Sequence, residues 1–482
     1  MMQQRQIRRS TKALLLSALI GVGAAAASVS PSQTAPTASA TYAGKLDKHA
    51  FSHPSANMDR EREMDFRVGK GFFKRLWVTP PSSTQAADGL GPLFNARACM
   101  SCHPRNGRGK PPESITEDAI SMFLRVDIPP RNEEEKKLLA EHRLNNIPDP
   151  FYGLQLQHFA VAGHNAEYRL LIDYEEIPVQ LAGGETVHLR KPRYTAANLG
   201  YGPFHPEARF SPRVAQQMIG LGLLEAVDEA AILALADPED IDGDGISGRP
   251  NRVWSREHGK VMLGRFGHKA GMPNVNEQSQ AAFINDIGIS VPLFPKGSGE
   301  CTNLQIQCLE APTGNSPQYD DLEAPPKVAE LVTFYASNLA VPRQRNRDDP
   351  DVQAGETLFR KIGCSGCHTQ EFVTKDKGVA REQNNQIIRP YTDLLLHDMG
   401  EGLADHRPEG AANGREWRTA PLWGIGLTPL VSGHSTYLHD GRARSLLEAI
   451  LWHGGEAQSQ RDAVTALSQH EREQFLKFIE SI

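Results

Sequence analysis

Apolar residues recur at helical spacing in two stretches far apart in the chain. Val328, Leu331, Val332, Tyr335 and Leu339 predict a helix over 326–339. Phe475, Phe478, Ile479 and Ile482 predict another over 467–482. Leu358 and Phe359 share one face of a further amphipathic helix within 355–363, and 278–287 reads as a fourth. Between 168 and 194 the pattern changes to apolar–polar alternation around Gly183-Gly184, which predicts a β-hairpin. The polar stretch 343–351 separates the two halves as a linker.

The halves repeat one layout. Arg213-Val214-Ala215 leads to Gly220-Leu221-Gly222-Leu223, and Arg418-Thr419-Ala420 leads to Gly424-Ile425-Gly426-Leu427. Each half runs through a helix, a cysteine motif, this glycine segment and a closing helix. In the first half, 89–97 is expected to take the part that 355–363 takes in the second. The expected fold is therefore mainly α, with a small β-hairpin insertion in the first half. Domain boundaries fall at 41–342 and 343–482.

The first forty residues read as an export leader. Arg5, Arg8, Arg9 and Lys12 precede an apolar run over 13–27, and small residues offer cleavage after Ala27 or Ala40. The run is shorter than the ~20 residues a membrane span needs. No later segment is apolar enough to span, so a periplasmic location is expected. With 23% charged and 39% hydrophobic residues the composition is that of a globular protein. A net charge of −6 offers no basic footprint for nucleic acid.

Four of the six cysteines form two identical patterns, Cys99-Met100-Ser101-Cys102-His103 and Cys364-Ser365-Gly366-Cys367-His368. Two thiols three positions apart can add to the two vinyl groups of one haem, and the adjacent histidine then binds iron from below. Zinc would want four ligands in one cluster. A redox dithiol needs no histidine after the second cysteine. Two covalently bound haem c groups are the expected cofactors. The remaining pair, Cys301 and Cys308, most simply forms a disulfide in an oxidising compartment, the alternative being two buried thiols.

Further residues resemble the bacterial di-haem cytochrome c peroxidase superfamily, which includes the MauG-type enzymes. They are Trp417-Arg418-Thr419-Ala420-Pro421-Leu422-Trp423-Gly424, Thr436-Tyr437-Leu438-His439-Asp440-Gly441-Arg442 and Leu394-Leu395-Leu396-His397-Asp398-Met399-Gly400. The match is closest to its branch of di-haem oxidoreductases, often labelled "thiol oxidoreductase". The resemblance implies two cytochrome c-like domains, a peroxidase-type haem in the first and an electron-transfer haem in the second. It places the second haem's far-side ligand on the helix after His-Asp-Gly. The matching position is His453, fourteen residues beyond His439, so His368 and His453 are expected to ligate the second iron. Met399, His439 and His397 compete for that role.

The helix over 278–287 offers the first iron only Asn285 and Asp286, so an open face for a small oxidant is expected there. His268, Met218 and His205 are the residues that would close it. Moving a proton at bound peroxide needs an acid/base group, and the resemblance points to Gln155, Gln157 or Glu225. Trp423 and Trp254 are candidates for a place between the rings.

One motif stands apart. Asp240, Asp242 and Asp244 occupy positions one, three and five of a calcium-type loop, Gly245 occupies six, and the Ile246 carbonyl can serve at seven. Position twelve is Asn251 instead of the usual glutamate. The expected function is di-haem oxidoreductase chemistry, peroxidase-like, with a small redox protein as electron donor or acceptor. The alternatives are a pure electron-transfer cytochrome and a haem-based partner protein in metal uptake.

Overall fold

Two helix pairs are held at closest approach by glycine. In the computed structural model, which describes residues 39–482 except 115 and 379, the helices that matter for the site are α1 (Arg60–Lys74), α2 (Val275–Ala282), α3 (Pro326–Ser337), α4 (Pro350–Ile362), α5 (Leu446–Leu451) and α6 (Gln469–Ser481). Asp59 caps α1 through Arg62 N, and Asp349 caps α4 through Asp351 N ahead of Pro350. Ser468 and Glu471 form a capping box on α6. The expected leader falls, but for its last two positions, outside the described residues.

α1 packs on α3, and α4 packs on α6. At Gly69 a Cβ would lie 2.1 Å from the Leu331 carbonyl oxygen; at Gly355 it would lie 2.0 Å from that of Gln474. One turn on, Phe73 sits 6.3 Å from the His103 ring and Phe359 6.2 Å from the His368 ring. The first-half counterpart of α4 is therefore α1. The 89–97 stretch, expected in that role, is a loop with only the short strand Leu93–Phe94. Thirty residues separate Phe73 from His103, against nine between Phe359 and His368, which is why the sequence conceals the equivalence.

The glycine segments repeat the device. Gly222 meets the Ser337 carbonyl at the end of α3, and Gly426 meets that of Glu480 near the end of α6. Gly220 and Gly424 both have positive φ, 73° and 72°. They also cross over each other. A side chain on Gly220 would strike Trp423, and one on Gly424 would strike Ile219 and Phe51. Gln217 donates to the Trp423 carbonyl at 2.8 Å along the same seam.

The expectation of a mainly α molecule of two cytochrome c-like domains is corrected here. Of the described residues only 29% are helical and 19% lie in strands or isolated β-bridges, with the strands paired in six two-stranded sheets. β1 (Met122–Asp127) pairs with β4 (Arg209–Val214), and β2 (Arg169–Gln180) with β3 (Thr186–Ala197), all antiparallel. The β2–β3 hairpin turns at Gly183 and Gly184, both with positive φ, and its strands run twelve residues each. It reaches across to the second half. Tyr194 donates to Asp440 at 2.7 Å, Arg190 to the Gly441 carbonyl at 3.3 Å, and the Ala182 amide to the Thr465 carbonyl at 2.8 Å. Cys301 and Cys308 are joined as a disulfide with Cα atoms 5.9 Å apart. Among the described residues, no helix is long and apolar enough to cross a membrane.

The close approaches predict an asymmetric response to one added methyl group. Gly69→Ala and Gly355→Ala should each cost about 1–3 kcal/mol by overpacking. Gly71→Ala, on the same helix as Gly69 with nothing within 4 Å, should be neutral or gain up to about 1 kcal/mol. Denaturant titration of the three variants measures the contrast.

Candidate functional site

Both cysteine motifs open onto one continuous cavity of about 430 Å³. Its walls come from α2, the Phe73 and Phe359 ends of α1 and α4, the glycine segments and α5. Cys99–Cys102 forms a single helical turn, and His103 follows it. Cys364 to Gly366 makes a tighter 3-10 turn after Gly363, whose φ of 94° ends α4.

Three histidines in this cavity are held the same way. His103 Nδ1 bonds the Gln216 carbonyl at 2.7 Å, His368 Nδ1 that of Tyr391 at 2.8 Å, and His453 Nδ1 that of Ala449 at 2.8 Å. A carbonyl partner requires the proton on Nδ1 and leaves the Nε2 lone pair free. Burial pushes His103 and His368 down to about 4 and lowers His453 as well. All three are thus neutral imidazoles with one open nitrogen and a fixed second-atom partner, the state in which histidine binds iron. His453 lies close enough to His368 to influence its charge.

The competing histidines are engaged otherwise. His397 is buried between Asp393 and Glu456, with 2.8 Å from Nε2 to one carboxylate and from Nδ1 to the other. Both nitrogens donate, so the ring is an imidazolium. Burial opposes that charge, but the hydrogen bonds raise the ring well above the ordinary value. His268 spends Nε2 on the Val214 carbonyl at 2.9 Å. His439 stacks on Trp417 at 3.8 Å and 15°, with Nε2 buried and unpartnered. His205 lies off the cavity, while Met218 and Met399 line it. Trp423 lines it too; Trp254 does not, and packs beneath Arg143.

The four motif thiols are raised by burial, Cys99 and Cys364 to about 12. The cavity also holds guanidiniums without carboxylate partners. Arg108 donates to the Leu438 carbonyl at 2.6 Å and leaves Nε unpartnered. Arg418 donates to the carbonyls of Gly267 and Thr419 and to Gln216 Oε1. Arg265 donates to the carbonyls of Leu224 and Val227. Burial lowers Arg108 and Arg418 to about 10. Buried cations with only neutral hydrogen-bond partners are costly, and the propionates of a haem would be the anions they lack. The lining therefore fits haem in both charge and ligand chemistry.

The residues expected to handle protons stand behind the cavity wall. Gln155 Nε2 donates to Asp286 Oδ1 at 2.7 Å. Gln157 is bonded to Asn95 and the Asn285 carbonyl. Glu225 accepts from the amide of Val275 at the start of α2. The groups that do face the cavity are Asp286, Arg125, Arg213 and Glu409. Asp286 is presented by the π-helical turn Phe283–Ile287 that continues α2, a distortion common at functional sites. Arg213 pairs with Glu409 at 2.7 Å, and Arg407 reaches the same carboxylate at 2.9 Å. Asp286 had a sequence signal, as the polar end of an amphipathic helix, and Arg213 had one as the head of the repeated glycine segment; Arg125 and Glu409 had none.

In the Asp-rich loop, ligand oxygens of Asp237, Asp240 and Asp242 lie within 4.8 Å of one another; Asp244 is outside that group. Asp244 instead accepts the Ile246 amide, Ser247 is held by Glu456, and Ile246 packs on Gly366 of the second motif.

The chain matches, over residues 30–482, a family described as "Di-haem oxidoreductase, putative peroxidase". No curated protein matches it. Among solved structures, hydrazine synthase of Kuenenia stuttgartiensis pressurised with xenon gives 14% identity and a TM-score of 0.24, covering 58% of this chain and 89% of that one.

The locked His397 makes a pH prediction. Its folded value lies above the ordinary 6.5, so its stabilisation is complete below about pH 6.5 and is lost as pH rises through the folded value. The stability gap between wild type and His397→Asn, read by denaturant titration, should be widest at pH 5–6 and shrink toward alkaline pH.

Proposed function

This chain belongs to the di-haem oxidoreductase family, which implies two haem groups, and on that premise we propose a peroxidase-like exported c-type enzyme. Cys99, Cys102, Cys364 and Cys367 would anchor the two haems by thioether bonds, and His103 and His368 would ligate their irons. His453 would be the second ligand of the second iron, which suits that centre to electron transfer. A small redox protein would be the electron donor and hydrogen peroxide the small oxidant taken at the first haem. Haem supplies the one-electron chemistry. The chain binds it, orients it and governs the protons around it. The periplasm is the compartment that suits thioether attachment and the Cys301–Cys308 disulfide. A cation at Asp237, Asp240 and Asp242 would brace the loop against the second motif.

The observation that carries this reading is the asymmetry of the histidines. The second motif has His453 with a free Nε2 nearby, whereas His268, the first motif's main rival ligand, has given its Nε2 to Val214. One observation favours the other reading, a pure electron-transfer protein. The Nε2 of His439, without a hydrogen bond though 3.7 Å from Asp440 Oδ2, could close the first iron.

Absorption and electron paramagnetic resonance spectra decide between them. The enzyme reading expects one high-spin and one low-spin haem, both retained after denaturation, with cyanide and peroxide binding quickly at one iron. His453→Ala should convert the low-spin signal to high-spin. Two low-spin haems and no fast ligand binding would establish the electron-transfer reading.

A further inference from the structure

His397 ligates no iron in the proposed function, yet its ring touches the second cysteine motif. Resting on the reading of that motif as the electron-transfer haem site, we propose that His397, a buried cation clamped between Asp393 and Glu456 against Cys367, raises the reduction potential there and so draws electrons in from the redox partner.

The ring is fixed on both sides. Nε2 lies 2.8 Å from Asp393 Oδ2, and Nδ1 lies 2.8 Å from Glu456 Oε2 and 3.5 Å from the Cys367 sulfur. A thioether sulfur still accepts a weak hydrogen bond, so the last contact is compatible with haem attachment. Asp393 is tied to the same motif, its amide donating to the Cys367 carbonyl at 3.0 Å. His397 lines the cavity, and its side chain and that of Asp393 are each only 2% exposed.

The charge state follows from the donors. Glu456 Oε1 accepts from Ser247 Oγ at 2.6 Å and from the Asp398 amide at 3.1 Å, and Oε2 accepts from the Ser247 amide at 3.1 Å as well as from the ring. Three donors besides the ring favour the ionised carboxylate. Asp393 Oδ1 accepts from the Leu395 amide at 2.9 Å and leaves Oδ2 to the ring. Carboxylates facing both nitrogens of one imidazole make it an imidazolium.

Taking up one electron lowers the positive charge of a redox centre by one, and a fixed cation beside it favours that change. Two carboxylates and one imidazolium leave the clamp with a single negative charge; a neutral residue at 397 would leave two. The surrounding charges are committed elsewhere. Asp398 pairs with Arg415 at 2.8 Å, and Arg249 with Glu416 at 2.6 Å. Arg418 interacts with Asp393 from the cavity wall, and His368 and His453 are neutral. Burial keeps salt from screening the ring. No proton needs to accompany the electron, because both ring nitrogens already carry one. His397 is thus a positioning residue, and Ser247, at the end of the Asp-rich loop, holds the outer side of its clamp.

The test uses the two-haem protein. In a spectroelectrochemical titration followed at the low-spin haem, His397→Gln should shift the equilibrium about tenfold or more toward the oxidised form, about 59 mV for one electron. Glu456→Gln removes a negative charge and should shift it the opposite way, a reversal of sign that structural damage does not produce. An unmoved potential in His397→Gln, or shifts of one sign in both variants, would overturn the proposal. Should a variant fail to hold haem, the wild type decides. In the reduced protein with carbon monoxide, nitrogen-15 NMR at about pH 7 should find both ring nitrogens of His397 protonated; one bare nitrogen sinks the idea. A second motif without haem overturns this proposal and the functional reading together. A protein that ignores peroxide while keeping a low-spin second haem overturns only the peroxidase reading, and the potentials still decide the role of His397.

Discussion

Contact between bare backbone and bare backbone, made at glycine, is the constraint on which the site depends. At Gly69, Gly355, Gly222 and Gly426 a helix or turn lies directly against a carbonyl oxygen of a closing helix. Those contacts set where Phe73 and Phe359 point, and both rings reach the histidine of a cysteine motif. The same segments carry Gly220 and Gly424, through which the halves cross. Gln216, which fixes the His103 ring, lies four residues before Gly220. Packing at four positions without side chains therefore helps to place the His103 and His368 rings.

The cavity is chemically unusual because its charges are unevenly paired. Lys269, fully buried, is saturated by Asp405 and two carbonyls and lies 4.4 Å over the Trp417 ring. His397 is clamped by two carboxylates. Arg108, Arg265 and Arg418 face only neutral oxygens. Such cations persist in a folded protein when something else supplies the countercharge. The carboxylates of haem, the group this family implies, would be anions of the right charge.

Much of this was readable in the chain, and the divide is physical. The cysteine motifs are local, so their five residues carried the cofactor reading unaided. His453 was reached by counting from His439, and its free Nε2 suits the expected role. The fold class misled. The strand Met122–Asp127 finds its partner in Arg209–Val214, and pairing across such a gap leaves no local period beyond a few alternating residues. Asp286, Arg125 and Glu409 come from three segments, and only tertiary structure brings them to one cavity. The role of α1 was hidden because the insertion between Phe73 and His103 breaks the spacing that the second half keeps.

The long hairpin has a consequence for how this architecture can be altered. Its strands belong to the first half, yet Tyr194 and Arg190 complete the wall around Asp440, and Glu185 pairs with Arg472 of the closing helix at 2.6 Å. Neither half is a transferable module. A graft that exchanged C-terminal halves between relatives would have to carry a matched hairpin with it, and drift in the His-Asp-Gly segment is tied to drift some 250 residues upstream.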